Sequence, residues 1–277
     1  MLYREVNHGD MAKKPLLLAP AGSMKALKSA INSGADEVYL GGADFNARIN
    51  AANFDRDALV AAGRLCRDSN VALNITLNTL IYDKEFKSVL DYVSFLSERV
   101  MPDSLIIQDL GLATTIRREF PHLALHASTQ MRIHSYLDAE YLKSLGFTRA
   151  VVARELPRED IARFVKTGLE TEIFIHGAIC VSESGGCLMS SVIGNRSGNR
   201  GECAQPCRLP RRYSLPNILF AIIFCNLSLL FMAAAVELLP PFFFLFFAIG
   251  FTFRLNTSNH FTTANRTESW VTVYIVT

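Results

Sequence analysis

Four cysteines carry the densest chemistry in this chain. Cys180, Cys187, Cys203 and Cys207 form the series C-x6-C-x15-C-x3-C. Thiolates gathered in one segment suit a soft metal or an inorganic cluster. The series lacks the paired C-x2-C units of common zinc ribbons, and iron–sulfur ligand spacings vary widely. Spacing alone therefore leaves zinc and iron–sulfur both open. Cys66 and Cys225 stand apart and read as ordinary buried thiols. Between Cys187 and Cys203, Gly194, Gly198 and Gly201 interleave with Asn195, Arg196, Ser197, Asn199 and Arg200. Glycines let a backbone approach a ligand closely. Arg196 and Arg200 are suited to hold substrate phosphate or carboxylate groups. The bland alternative is a solvated loop whose arginines offset thiolate charge.

A second set of polar residues follows short apolar runs. Ser23, Asn46, Thr76, Asn78, Gln108 and Asp109 come first, then His126, Ser128, Thr129, Gln130, Arg154, Glu155 and His176. Ser23 and Asp109 are placed to start helices. Glu155, His176, His126 and Gln130 lack that role and are the catalytic candidates. Glu155 beside Arg154 is either an ion pair or a general acid/base with a tuned pKa. Asn78, Arg154, Arg196 and Arg200 are the substrate-binding candidates.

The elements that must position these residues alternate regularly. Apolar runs span 16–20, 37–42, 72–78, 104–109, 123–129, 149–155 and 172–176. They are rich in Val, Ile and Leu on both faces, as strands of a buried parallel sheet are. Between them, 23–33, 55–69, 84–100, 110–120, 135–145 and 157–167 show helical periodicity with capping and stop residues. Seven β units with intervening helices predict an α/β, TIM-like βα barrel, with a doubly wound open sheet as the alternative. No G-x-G-x-x-G turn follows the first strand. In a barrel, polar strand ends converge on one mouth.

Composition sets outer limits. The 277 residues are half hydrophobic and 19% charged, with a net charge of +2, which excludes a disordered chain and nucleic-acid binding by bulk charge. Met1 to Lys14 is polar and is expected to be a disordered N-terminus without an export signal. The first 212 residues therefore read as cytoplasmic, where clustered thiols favour metal over disulfide.

The segments LLLAPAGSMKALKSAINSGADEVYLGG, DFNAR, SLIIQDLGL, LHASTQM and HGAICVSESGGCLMSSVIGNRSGNRGECAQPCRLP resemble the collagenase-like U-thirty-two peptidase family over about residues 15–212. That resemblance implies a TIM-like barrel whose Cys180, Cys187, Cys203 and Cys207 bind a [4Fe–4S] cluster. It implies an enzyme hydroxylating a pyrimidine in ribosomal or transfer RNA, linked to prephenate metabolism through a small-molecule donor. Other relatives hydroxylate ubiquinone precursors. The rival activities are a collagenase-like peptidase and a non-catalytic iron–sulfur RNA-binding module or inactive truncated copy. The residues themselves offer no serine, histidine and acid set and no H-E-x-x-H.

The resemblance stops near residue 212, where composition changes. Of all charged residues, only Glu237, Arg254, Arg266 and Glu268 fall in 213–277, together with 11 of the 19 phenylalanines. Ile218–Val236 is uncharged and close to a membrane span in length. The tail reads as out-of-frame sequence, as a membrane anchor through 218–236, or as an unusual barrel element, the first being favoured. The expected organisation is a barrel core over 15–177, a cysteine-cluster segment over 178–212 and the apolar tail. The barrel is then incomplete, with an unpaired edge on its seventh strand.

Overall fold

The computed structural model describes residues 15–49, 52–177, 180–209 and 273–276. Seven parallel strands alternate with helices. They are β1 (Leu16–Pro20), β2 (Glu37–Gly41), β3 (Ala72–Leu77), β4 (Ser104–Ile107), β5 (Ala124–Ala127), β6 (Phe147–Val151) and β7 (Glu170–His176). The helices between them are α1 (Met24–Asn32), α2 (Arg56–Asp68), α3 (Phe86–Phe95), α4 (Leu110–Glu119), α5 (Asp138–Ser144) and α6 (Arg158–Val165). A short α7 (Met189–Gly194) follows β7. Each strand pairs with the next in parallel, as expected from the sequence.

Closure differs from the expectation. An eighth strand, β8 (Val273–Val276), pairs antiparallel with both β7 and β1, completing the barrel. The seventh strand thus does not keep an unpaired edge. The run Val-Tyr-Ile-Val is β-branched and aromatic, the composition that pleated strands favour. No parallel eighth βα unit is present among the described residues. The expected disordered N-terminus (1–14), Cys225 and the apolar run Ile218–Val236 lie outside the described residues. Among the described residues no helix is long and apolar enough to cross a membrane.

Local chemistry starts the helices where the sequence suggests. Ser23 caps α1 by accepting from the Ala26 amide at 3.2 Å, and Asp55 caps α2 through Ala58 at 2.8 Å. Asp109 caps α4 through Leu112 at 2.8 Å and also accepts from the Ile81 amide at 3.2 Å. Such caps satisfy amides that a helix start leaves unpaired. Leu27, Leu59, Val93, Leu112, Ile116 and Phe164 from the helices pack on Val38, Leu73, Leu105 and Leu125 from the strands, all buried. Cys66 sits in this layer, its thiol pushed up to about 11 by burial and by Asp103, so it stays protonated and inert.

The alternate strand positions point inward. Leu18 and Val151 form a small apolar layer inside the barrel with Leu16, Tyr39 and Phe174 against it. Polar side chains fill the space on either side of that layer.

Candidate functional site

At the C-terminal strand ends the barrel opens into a cavity of about 220 Å³. Its walls carry four side-chain amides, Asn46, Asn53, Asn78 and Gln130, the aromatic rings of Tyr39 and Phe174, and two cations, Arg48 and Arg154. Neighbouring backbone holds Asn46 and Asn78 in place. Asn46 donates to the Gly42 carbonyl at 2.5 Å and accepts from the Arg48 amide at 2.7 Å. Asn78 accepts from the Ala47 amide at 2.9 Å. The Arg154 guanidinium stands 5.5 Å from the centre of the Phe174 ring. A smaller cavity of about 40 Å³ shares Tyr39, Thr76, Asn78, Thr129 and Phe174 with the first and is floored by Glu172. Amides offer donors and acceptors together, and flat rings offer stacking surface. Such a lining suits a planar polar ring. Its volume lies below the roughly 300–1,000 Å³ of sites that enclose whole drug-sized molecules.

Beneath lies a saturated polar network. Arg149 of β6 donates twice to Glu37 of β2, at 2.6 and 2.8 Å, and through Nε to Glu170 at 2.8 Å. Burial alone would lower the Arg149 pKa, but its bonds to Glu37 and Glu170 raise it further than burial depresses it. Asn74 donates to Glu37 at 2.9 Å, Ser104 donates to Asn74 at 2.5 Å, and Ser104 meets His126 Nδ1 at 2.9 Å. His126, a catalytic candidate from the sequence, is 5% exposed and lines neither cavity. Burial and then the nearby Arg149 charge hold its pKa well below the usual histidine range, so the ring is neutral.

The cysteine segment packs on the loops around the mouth, a roof whose residues do not themselves line the cavity. Glu155, after β6, accepts from the Ser184 amide at 2.8 Å and from its hydroxyl at 3.1 and 3.2 Å. Burial pushes the Glu155 pKa up, but the backbone and Ser184 hydrogen bonds outweigh it and hold the carboxyl below its ordinary value. Gly185, at φ +71°, lies against the Gln130 carbonyl, and Gly201, at φ +82°, against the Asn46 carbonyl. A side chain at either position would strike backbone, so glycine is required there for contact as well as conformation. The Leu80 amide donates to Asn199 at 3.2 Å. Arg200 donates to the Leu80 carbonyl at 2.6 Å and to Glu85 at 2.7 and 3.0 Å, with Tyr82 beneath it at 4.0 Å. The roof is thereby riveted beyond β2, β3, β5 and β6.

Asn78, Gln130 and Arg154 therefore reach the cavity as the sequence suggests. Glu155 and Arg200 instead fasten the roof. Arg196 is exposed and lies outside the cavity wall, and His176 is exposed at the end of β7. Sequence reasoning missed Tyr39, Phe174 and Glu172. The sequence offers little sign of them: Glu37 and Arg149 interrupt mostly apolar strands, but Glu172 follows Glu170 and Thr171 in a polar strand start.

The four cysteines fit a soft metal by donor chemistry: all are free thiols and none is fully buried. Gly198 packs between the backbone of Cys187 and the side chain of Cys203, a Cβ there lying 3.7 Å from the Cys187 carbonyl oxygen and from the Cys203 Cβ. Among the described residues no three cysteine, histidine or acidic side chains are drawn around one centre.

A βα barrel with its mouth lined by amides and roofed by a four-cysteine loop defines the class. The model of the family described as Peptidase family U32 matches residues 22–222, and the chain belongs to that family. The chain is 40% identical over 195 residues to the 23S rRNA 5-hydroxycytidine C2501 synthase of Escherichia coli (strain K12), covering 70% of this chain and 29% of that protein. It is 34% identical over 199 residues to tRNA hydroxylation protein P1 of Bacillus subtilis (strain 168), covering 72% and 47%. It is 34% identical over 208 residues to a collagenase of Porphyromonas gingivalis (strain ATCC BAA-308 / W83), covering 69% and 49%. The chain thus spans half or less of the length of these relatives.

Proposed function

We propose that this chain is the barrel portion of a cytoplasmic iron–sulfur enzyme that hydroxylates a pyrimidine of ribosomal or transfer RNA. The observation that carries the reading is its 40% identity with a ribosomal-RNA hydroxycytidine synthase over 195 residues. The amide-lined mouth supports it. A base turned out of its strand enters a pocket, where its polar edge is read by hydrogen bonds and its face by aromatic contact. Asn46, Asn78 and Gln130 supply the first here, and Tyr39 and Phe174 the second. Arg154 and Arg48 supply positive charge for a flanking phosphate.

Cys180, Cys187, Cys203 and Cys207 would hold a [4Fe–4S] cluster above this mouth. Hydroxylation exchanges a ring C–H for C–OH and removes an electron pair from the ring, and the cluster, when bound, supplies electron transfer. The oxygen atom and the oxidising equivalents both come from a small-molecule donor linked to prephenate metabolism, which gives up the oxygen and leaves reduced by two electrons. In this reading residues 15–177 bind the base and 178–212 carry the cluster.

Peptide hydrolysis is the second reading, favoured by the collagenase relative. Against it, Ser184 and Ser104 are each 1% exposed, Ser184 bonded to Glu155 and Ser104 to the buried His126, so neither hydroxyl is open to a peptide. The test is mass spectrometry of ribosomal and transfer RNA from a strain lacking the gene. One pyrimidine should lose the mass of one oxygen atom. An unchanged RNA profile, with peptide cleavage by the pure protein, would instead establish the peptidase; an unchanged profile without cleavage would leave a binding module.

A further inference from the structure

We propose that Glu172 is the ligand-reading carboxyl at the floor of the mouth, its Oε2 hydrogen-bonded to an acceptor atom, a ring nitrogen or carbonyl oxygen, of a planar heteroaromatic ligand. This deepens the pyrimidine reading above and rests on it for the identity of the ring.

Glu172 is 2% exposed, yet its Oε2 has no hydrogen-bond partner among the described residues. The Thr129 hydroxyl is likewise buried without a partner among them. Both residues line the same small cavity, which shares five wall residues with the mouth. Buried polar atoms are almost always satisfied, so two orphans on one cavity mark a place where another molecule supplies the partner.

The charged surroundings decide which form Glu172 presents. Arg149 of β6 is the nearby cation, and three of its five N–H groups are taken by Glu37 of β2 and Glu170 of β7. Its Nη1 stands 3.6 Å from Glu172 Oε2. His126 of β5 is neutral and adds no charge. A third carboxylate there would be buried beside two others with one guanidinium between them. Burial foremost, with Glu37 and Glu170 adding to it against the pull of Arg149, pushes the Glu172 pKa up to about 8. At neutral pH the group therefore bears a proton and donates, which an ionised carboxylate cannot do. A donor at the deepest point selects a ring that offers an acceptor inward.

The experiment is cytidine binding to the full chain by calorimetry at pH 6 and pH 9.5, a range over which cytidine keeps one neutral form. Wild type should bind about tenfold more weakly at the higher pH, the loss expected for one hydrogen bond to a buried group. Glu172→Gln keeps a neutral donor and should bind equally at both values. Glu172→Met should bind about tenfold more weakly at both while unfolding cooperatively on heating. Wild-type-like binding by Glu172→Met, or a wild-type affinity that does not change with pH, would overturn the proposal and leave the floor as a water site. Should Glu172→Met fail to fold, a pH-dependent loss in Glu172→Gln overturns it instead. The probe 2-pyridone separates the two readings. If it binds with the same dependence on Glu172 while cytidine does not bind, Glu172 stands and the nucleic-acid reading falls. If neither probe binds wild type, the Glu172 proposal falls, and the RNA mass measurement still judges the reaction.

Discussion

The two ends of the barrel interior handle polarity in opposite ways. At the floor, Arg149, Glu37, Asn74, Ser104 and His126 saturate one another at 2.5 to 2.9 Å. At the mouth, Asn78, Gln130 and Arg154 face a cavity, and Thr129 and Glu172 keep buried polar atoms without a hydrogen-bond partner among the described residues. A saturated network rigidifies, whereas an unsaturated one waits for a partner. Buried polar residues in a barrel thus divide by whether their hydrogen bonds are complete, and burial alone does not tell structure from site.

The sharpest way to break this contrast is at its most committed residue. Arg149→Met should destabilise the fold by about 3–5 kcal/mol in urea unfolding, because Glu37 is left as an uncompensated buried charge. A loss of less than 1 kcal/mol would mean that the floor is wet and the contrast false.

The roof should respond less. Gly201→Ala places a methyl group against the Asn46 carbonyl in a left-handed backbone, and about 1–3 kcal/mol of strain should follow. Hydrogen exchange should quicken across residues 197–207 before the barrel strands respond. Arg200→Ala removes the bonds to Glu85 and Leu80 and should cost about 1–2 kcal/mol, its charge-assisted bonds being half-exposed. Equal exchange in roof and strands would show one rigid unit.

The pH dependence separates the floor from the mouth in sign. His126 has a depressed folded pKa, so the folded state binds fewer protons than the unfolded chain below about 6.5. Its stability is complete above that value and is lost as pH falls. Glu172 has a raised folded pKa of about 8 against an ordinary 4.5. Its folded form holds a proton that the unfolded chain releases, so stability falls as pH rises from about 4.5 to 8. His126→Gln should flatten the acid limb and Glu172→Gln the alkaline limb in thermal unfolding. The smallest effect belongs to the surface: Arg118→Ala, which breaks an exposed pair with Glu119, should change stability by less than about 0.5 kcal/mol.

The strands were legible because the seven apolar runs are continuous, and β1 spans the very residues expected. Helix starts were legible where Ser23, Asp55 and Asp109 announce them. The capping function of Glu155 and Arg200 in the roof was not, since a loop arginine looks alike whether it meets substrate or Glu85. The inward charges were hidden for a related reason. Glu37 opens β2, and Arg149 opens the apolar run 149–155 although it is central in β6; a charge at the edge of an apolar run is ordinarily solvated. Only a closed barrel turns those positions into its interior. β8 escaped notice because its pairing partners are β1 and β7, far away in sequence.

That last separation has a kinetic consequence. β8 pairs with Leu16 through Leu18 at the opposite end of the chain. The entropy of closing a loop grows with its length, and pairings so distant form slowly. During synthesis β1 through β7 can assemble from neighbour contacts alone, and the ring stays open until residues 273–276 have emerged. For that interval β1 and β7 each present a free edge, and the nascent protein is exposed to pairing with another copy of itself.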